Sequence, residues 1–253
     1  ASFERLASYG CHRVLVQSRE DEQAFILAKA APREKVVRIG NGIPLERFDA
    51  DCWLPHRDRI RASLGIGPSD VVFLSAGRLV REKGFMDLAR ATAIARRSAD
   101  YIKVAIAGPA DEQKADSLSA SDIESARRDG VMFLGEREDM AALYAASDVV
   151  VLASWREGLP RVLVEGAAMG KPLLATDVRG NREVVRVPSG GVLTPVRTPE
   201  ALAAGMLRLA SDETLRKRLG DYNRTLARTE YDITRVFEHL ERAYVELLAS
   251  KTR

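Results

Sequence analysis

The feature that most limits what this chain can fold into is a regular alternation of short apolar runs with amphipathic stretches. Val71-Val72-Phe73-Leu74-Ser75-Ala76 reads as a strand, Phe85 to Ser98 as a helix and Tyr101 to Ala107 as a strand. Strand Val131 to Leu134, helix Asp139 to Ala146, strand Val149 to Leu152, helix Pro160 to Met169 and strand Pro172 to Ala175 continue the pattern, and Gly190 to Leu193 closes it. Val149-Val150-Val151-Leu152 is apolar at every position, as a strand buried on both faces must be. Parallel strands need crossover connections, and the helices between them supply these. The expected fold class is therefore α/β, a doubly wound parallel sheet. Upstream, His12 to Gln17 reads as a strand, Glu20 to Ala30 as a helix, and Val36 to Ile39 as a strand ended by the turn sequence Gly40-Asn41-Gly42. Arg57 to Leu64 reads as a short helix stopped by Gly65, and the polar stretch Asp111 to Asp129 as a loop with a loosely packed helix. After Thr198 come three helices in succession, Pro199 to Ala210, Glu213 to Arg228 and Thr234 to Ala249.

Composition removes several classes of function. With 253 residues, 46% hydrophobic and 30% charged, the chain has ample material for a core and lies far from the disordered regime. No run of about 18 apolar residues could cross a bilayer as a helix. The opening Ala1-Ser2-Phe3-Glu4-Arg5 has no basic stretch leading into an apolar core, so no secretory leader is expected. Cys11 and Cys52 make no disulfide framework and have no zinc-site spacing. Basic residues exceed acidic ones by 39 to 36, and 31 of the 39 are arginine, but acids are interspersed and no aromatic residues interleave a basic stripe. No nucleic-acid partner is expected. Weak peripheral contact with an anionic membrane surface fits a scattered positive balance better than nucleic acid does, and a solvated mixed-charge surface fits it best.

In open parallel sheets ligands sit beyond the carboxyl ends of strands, so two loops carry most of the chemical information. The first is Gly77-Arg78-Leu79-Val80-Arg81-Glu82-Lys83-Gly84, where two glycines bracket Arg78 and Lys83 at a strand-to-helix junction. Backbone N–H groups and two cations there suit an anion, though a solvated basic loop would look the same. It is neither a Walker loop nor a dinucleotide fingerprint. The second is Ser154-Trp155-Arg156-Glu157-Gly158-Leu159-Pro160, followed by a helix in which Glu165 stands among Val162, Leu163, Val164, Ala167 and Ala168. Pro160 suits the first turn of that helix, where a missing N–H costs little. A carboxylate among apolar neighbours needs donors, which a sugar diol would supply and which a salt bridge to Arg161 at i,i+4 would supply equally.

Taken together, these segments resemble the retaining GT-B glycosyltransferases of glycosyltransferase family 4, also called group 1. The resemblance runs in order along Asn41-Gly42-Ile43-Pro44 with Arg47-Phe48, Gly77-Arg78…Lys83-Gly84, Phe133-Leu134-Gly135, the pair Glu157 and Glu165, Ala175-Thr176-Asp177-Val178 to Val185, and Gly191-Val192-Leu193. The resemblance implies a Rossmann-like donor domain in which Arg78 and Lys83 hold the diphosphate of a nucleotide-sugar and neutralise it as it leaves. Glu165 would accept the ribose hydroxyls. Glu157, with the backbone at Gly158, Leu159 and Pro160, would hold the donor hexose. Gly77, Leu134, Gly135 and Arg137 would complete the nucleotide site. The family more often carries Gly at the place of Pro160, so one N–H is missing here. No metal or other cofactor is expected, because the two cations would do the metal's work.

The resemblance also implies a division of the chain. Residues 1–40 resemble only the last elements of the family's N-terminal, acceptor-binding domain; residues 41–230 would be the nucleotide-sugar-binding domain and 231–253 a C-terminal crossover helix. The acceptor-side glycine loop and the family's catalytic His have no counterpart, since His12, His56 and His239 stand without a paired acid. A first residue other than Met fits a chain that begins mid-protein. The implied function is the donor half of a transferase moving a hexose, UDP-linked by preference, to a glycan or lipid-linked acceptor in polysaccharide or lipopolysaccharide assembly. It would be cytoplasmic or at the inner face of the cell membrane, and the 253-residue chain alone would turn over little. A subunit of a split transferase that takes the missing domain in trans, a degenerate scaffold, and a relative such as a sugar-nucleotide epimerase or α-glucan synthase are the rival readings.

Overall fold

The computed structural model describes residues 6–8, 10–110 and 114–251. Backbone contacts divide the chain into two compact units, residues 1–45 with 228–253, and residues 46–227.

In the first unit, β1 (Val14–Val16) pairs in parallel with β2 (Val36–Arg38), Val14 opposite Val36. Between them runs α1 (Arg19–Leu27), whose first turn is capped by the Ser18 hydroxyl accepting from Asp21 N at 3.0 Å. Val16, Ala31 and Val36 form a small core with Val14, Phe25 and Ile26.

The second unit carries the sheet. Its short elements α2 (Ala50–Trp53) and α3 (Arg57–Ser63) precede β3 (Val71–Ala76), α4 (Phe85–Arg96), β4 (Ile102–Ala107), α5 (Ala120–Arg128) and β5 (Val131–Gly135). There follow α6 (Met140–Ala146), β6 (Val149–Leu152), α7 (Arg161–Ala168), β7 (Leu173–Thr176), α8 (Arg179–Val184), β8 (Gly191–Thr194), α9 (Pro199–Ser211) and α10 (Glu213–Glu230). Six strands pair in the order β5-β4-β3-β6-β7-β8, all parallel, with Phe73 opposite Val149 and Val150 opposite Leu173. This is the doubly wound α/β sheet that the sequence implies. Successive residues serve opposite faces: Val149 and Val151 join one apolar cluster with α4, α9 and the start of α10, whereas Val150 meets Gly166 of α7 on the other. All four residues of β6 are completely buried.

Three expectations change. The helix after the second loop begins at Arg161, and Pro160 is its cap, with ψ 107°. Its extended backbone lies outside the first turn, while its carbonyl accepts from Leu163 and Val164. The polar stretch before Asp129 is not loosely packed where it is described. Ser119 and Asp122 close a capping box on α5, and Ala126 is fully buried against the main core. A short helix, α8, also forms where hydrophobic periodicity gives no signal, and Gly180 and Asn181 explain it: a Cβ at Gly180 would collide with the Gly158 carbonyl, and Asn181 Nδ2 donates to Thr176 O at 2.9 Å.

At the amino ends of the strands a charged cluster closes on itself. Asp148 accepts from Arg57 at 2.6 Å, from Arg61 at 3.1 Å and from the backbone N–H of Val72 at 2.8 Å. Arg61 also donates to the Ala146, Gly67 and Asp70 carbonyls. Lys171 donates to Ser147 O at 2.9 Å. Burial, together with the charge of Arg57, lowers the Lys171 ammonium to about 7.

In the first unit α11 (Ile233–Lys251) follows, with Ile233 N donating to Ile43 O at 3.1 Å. Phe237, Tyr244 and Leu248 of this helix are exposed, and Leu240 and Leu247 are half-buried. Among the described residues no helix is long and apolar enough to cross a membrane.

Candidate functional site

The strand order reverses direction between β3 and β6, so the helices that follow these two neighbours lie on opposite faces, and it is at the carboxyl ends of strands at such a switch point that open parallel sheets bind ligands. The loops that leave these two strands are those on which the sequence places Arg78, Lys83 and Glu157.

The first loop turns at Gly77, φ +150°, and tightens into a 3-10 turn over Arg81–Lys83 before Gly84. Gly84 has φ +68°, and a Cβ there would collide with the Ala153 carbonyl. Only glycine allows the loop to lie this close to the end of β6. The loop is also held from the side. Arg81 N donates to Asp116 O and Leu118 N to Leu79 O, both at 2.8 Å, and the Arg81 guanidinium reaches Asp122 at 2.8 Å. The polar stretch before Asp129 is thus partly the buttress of this loop.

The second loop is stitched to the first. Trp155 N donates to Glu82 O at 2.8 Å, Arg156 Nε to Glu82 Oε2 at 2.9 Å, and Trp155 Nε1 to Asp87 Oδ2 at 2.8 Å. Arg197 lies over the Trp155 ring at 4.0 Å from its centre. The Lys83 ammonium donates to Glu157 Oε1 at 2.7 Å, with side-chain exposures of only 21% and 10%. The fold therefore joins two of the residues named from sequence in one ion pair. Arg78 is exposed on the same loop. Beyond Glu157, a Cβ on Gly158 would meet nothing within 4 Å, so the backbone there faces open space.

Glu165 lies in α7 with 13% of its side chain exposed. Its near partner is a neutral one: the Tyr144 hydroxyl donates to Oε2 at 2.9 Å. Arg161, the sequence alternative, stands 3.7 Å from Oε1 and is itself mostly exposed. Burial pushes the Glu165 carboxyl up from its ordinary value, against the opposing pull of Tyr144, Arg161 and Arg47. The same burial, with Glu165 alongside, pushes the Tyr144 phenol well above its ordinary value. Tyr144 itself is wedged edge-on against Phe48, ring centres 6.0 Å apart. One oxygen of Glu165 thus has a short fixed donor and the other only a long ionic contact, which leaves it able to accept hydroxyl groups.

Leu134 and Gly135 end the edge strand β5. Gly135 O accepts from Gly108 N at 2.7 Å, and Gly77 N donates to Ala107 O at 2.9 Å, so the β5 turn and the first loop share the end of β4 as a common support. The space beside Gly135 is open within 4 Å. Arg137 is fully engaged with Asp139, Nε to Oδ1 at 2.7 Å and Nη2 to Oδ2 at 2.6 Å. That fork holds the Asp139 carboxyl below the usual carboxylate range. Sequence reasoning misses Glu82, Asp87, Tyr144 and Arg197, because each matters only through a partner remote in the chain.

Comparison with known proteins identifies the family and the fold. The family model "Glycosyl transferases group 1" matches residues 56–226. The lipopolysaccharide core biosynthesis glycosyltransferase LpsE of Rhizobium meliloti is 30% identical over 191 residues, 76% of this chain and 53% of that protein. The structure of sucrose-phosphate synthase from Thermosynechococcus elongatus superposes with a TM-score of 0.83 at 25% identity, over 98% of this chain and 61% of that one. That of Anabaena Alr3699/HepE in complex with UDP does so at 0.84 and 24% identity, over 95% of this chain and 65% of that one, a likeness of fold. The chain spans about half the length of the curated relatives it matches. The ordered motifs, the sheet that carries them and these matches lead to one conclusion: the chain belongs to the group 1 glycosyl transferases, whose fold is GT-B.

Proposed function

We propose that this chain is the donor-nucleotide half of a retaining glycosyltransferase, which moves a hexose from a nucleotide-sugar, UDP-linked by preference, to a glycan or lipid-linked acceptor. Residues 46–227 form the donor domain in this reading. The small β1–β2 unit is the last part of an acceptor domain, and α11 is the crossover helix. The observation that carries the reading is the Lys83–Glu157 ion pair, which joins the loops that follow β3 and β6 where the strand order reverses. Bound UDP in the HepE structure and the lipopolysaccharide role in the name of LpsE support the nucleotide and the pathway class.

In this mechanism the nucleotide ribose hydrogen-bonds to Glu165, and its base rests near Leu134, Gly135 and Arg137. The diphosphate lies against Gly77, Arg78 and Lys83, with the hexose between Glu157 and the backbone of Gly158, Leu159 and Pro160. As the bond from the sugar to the diphosphate breaks, negative charge accumulates on the departing phosphate oxygens. Arg78 and Lys83 stabilise that charge where it develops, and no cofactor is required. Acceptor recognition belongs to the other half, so this chain binds nucleotide weakly and turns over little. The setting is polysaccharide or lipopolysaccharide assembly, in the cytoplasm or at the inner face of the cell membrane.

Calorimetric titration with UDP, GDP and ADP tests this. One nucleotide should bind, and Lys83→Ala or Glu165→Ala should each weaken it by roughly 1.5–3 kcal/mol, the range of a hydrogen bond to a charged group. Binding that neither variant changes would refute the assignment of these residues.

A further inference from the structure

The Lys83–Glu157 pair makes two demands on one site. On the reading above, Lys83 serves the diphosphate and Glu157 the hexose, yet the two side chains are in contact at 2.7 Å. A pair of opposite charges that close is nearly neutral to anything approaching it. A diphosphate therefore meets Lys83 with its charge already satisfied, and a second negative group beside it.

To take a phosphate oxygen, the Lys83 ammonium must loosen its hold on a carboxylate with little access to water. Glu157 then needs other donors, since a buried carboxylate without them is costly. Three neighbouring donors are engaged elsewhere: Trp155 N and Arg156 Nε are both on Glu82, and Trp155 Nε1 is on Asp87. A bare nucleoside diphosphate offers none at its phosphate end, where every exposed oxygen is an acceptor and carries part of a negative charge. A hexose on that diphosphate offers several hydroxyl groups, and the open side of Gly158 gives it room beside Glu157.

We propose that Glu157 is a specificity determinant that sets the site against nucleoside diphosphate and in favour of nucleotide-sugar, by competing for Lys83 whenever no sugar hydroxyl satisfies it. Product nucleotide, once it has lost its sugar, is then displaced as the ion pair closes again. The inference rests on the donor-site reading and adds a direction to it: one of the two charged groups opposes the product.

The test is a double-variant cycle on the whole 253-residue chain, with UDP, GDP and ADP as probes and the glucose ester of whichever binds. Glu157→Gln keeps the shape and removes the charge. It should tighten the nucleoside diphosphate by about tenfold, the size of one charge-assisted hydrogen bond, and should not tighten the glucose ester to the same extent. In a Lys83→Gln background the same substitution should change diphosphate affinity by no more than about twofold, because the coupled partner is gone. Thermal melts of all variants confirm that the fold is intact. Unchanged or weaker diphosphate binding by Glu157→Gln overturns the inference, as does equal tightening with and without Lys83, or equal tightening of diphosphate and ester. In those outcomes Lys83-dependent binding by the parent chain leaves the donor-site reading standing. Failure of the parent and all variants to bind any of the nucleotides removes that reading, and this inference with it.

Discussion

The two ends of the six-stranded sheet both carry buried charge, and they use it differently. At the amino ends, Asp148 sits between Arg57, Arg61 and the Val72 N–H, and the cations go on to cover the carbonyls that end α6. Each group's contacts are with the protein itself. At the carboxyl ends, Lys83 and Glu157 hold each other beside the open backbone of Gly158, and Glu165 has one short donor and one long contact. Buried charge is therefore no marker of a site by itself. What distinguishes the candidate site is a charged group next to space, with hydrogen-bonding capacity left over.

The largest expected effect breaks the closed cluster. Asp148→Ala leaves Arg57 and Arg61 facing each other without their carboxylate, and should cost about 3–5 kcal/mol of stability in urea unfolding, as breaking a buried pair does. Glu157→Gln, which keeps a hydrogen-bonding partner for Lys83, should cost about 1 kcal/mol or less. Equal losses at the two ends would erase the contrast.

The second prediction concerns Glu165, whose carboxyl titrates above the ordinary value. Nucleotide binding through two ribose hydroxyls needs the ionised form, so affinity should fall as pH drops through that raised value, by up to about tenfold per pH unit for one linked proton. Tyr144→Phe removes a hydrogen bond that favours the ionised form, and should move this fall to higher pH. Titrations from pH 8 down through the ordinary carboxylate range would show it; a flat profile would mean that Glu165 does not meet the nucleotide.

Lys171 gives the third. Its folded value, about 7, lies below the ordinary 10.5, so between those pH values the unfolded chain binds more protons than the folded one. Stability should therefore rise with pH from about 7 upward and approach its limit near the unfolded value. Lys171→Met should flatten that rise, as read from melting temperatures between pH 7 and 9.5.

The smallest effect on the fold is expected at Gly158. Its alanine variant adds a methyl group that meets nothing within 4 Å, and should leave stability within about 0.5 kcal/mol. Nucleotide-sugar affinity should fall all the same if the hexose lies there, while affinity for the bare diphosphate stays. Gly180→Ala, which strikes the Gly158 carbonyl, should do the reverse and lower the melting temperature.

Much of the fold is legible in the sequence because burial on both faces leaves no polar residue in β6 and little choice elsewhere. The boundaries of β3 and β6 follow directly from it. Helix α8 is not legible: Arg179-Gly180-Asn181-Arg182 has no apolar period, and its shape comes from a close approach to Gly158 and a side-chain bond to Thr176. The site is legible as residues and not as contacts. Motif order singles out Lys83, Glu157 and Glu165, but the first two are 74 positions apart, and nothing local shows that they touch. Tyr144 is hidden for the same reason. Within α6 it reads as one more core side chain, and its role appears only when α7 places Glu165 against its hydroxyl. Pairings set by the sheet's crossover order cannot be read before that order is known.

The stacking of Trp155 against Arg197 has an optical consequence. The chain contains two tryptophans, Trp53 in α2 and Trp155, two residues from Glu157. Indole emission responds to nearby charge and to the hydrogen bond on its nitrogen, and Trp155 has a guanidinium on its face and a carboxylate on its N–H. With Trp53 replaced by phenylalanine, the remaining fluorophore reports on the loop that carries Glu157. Any displacement of that loop by a ligand becomes a spectral shift, followed in real time with no added label.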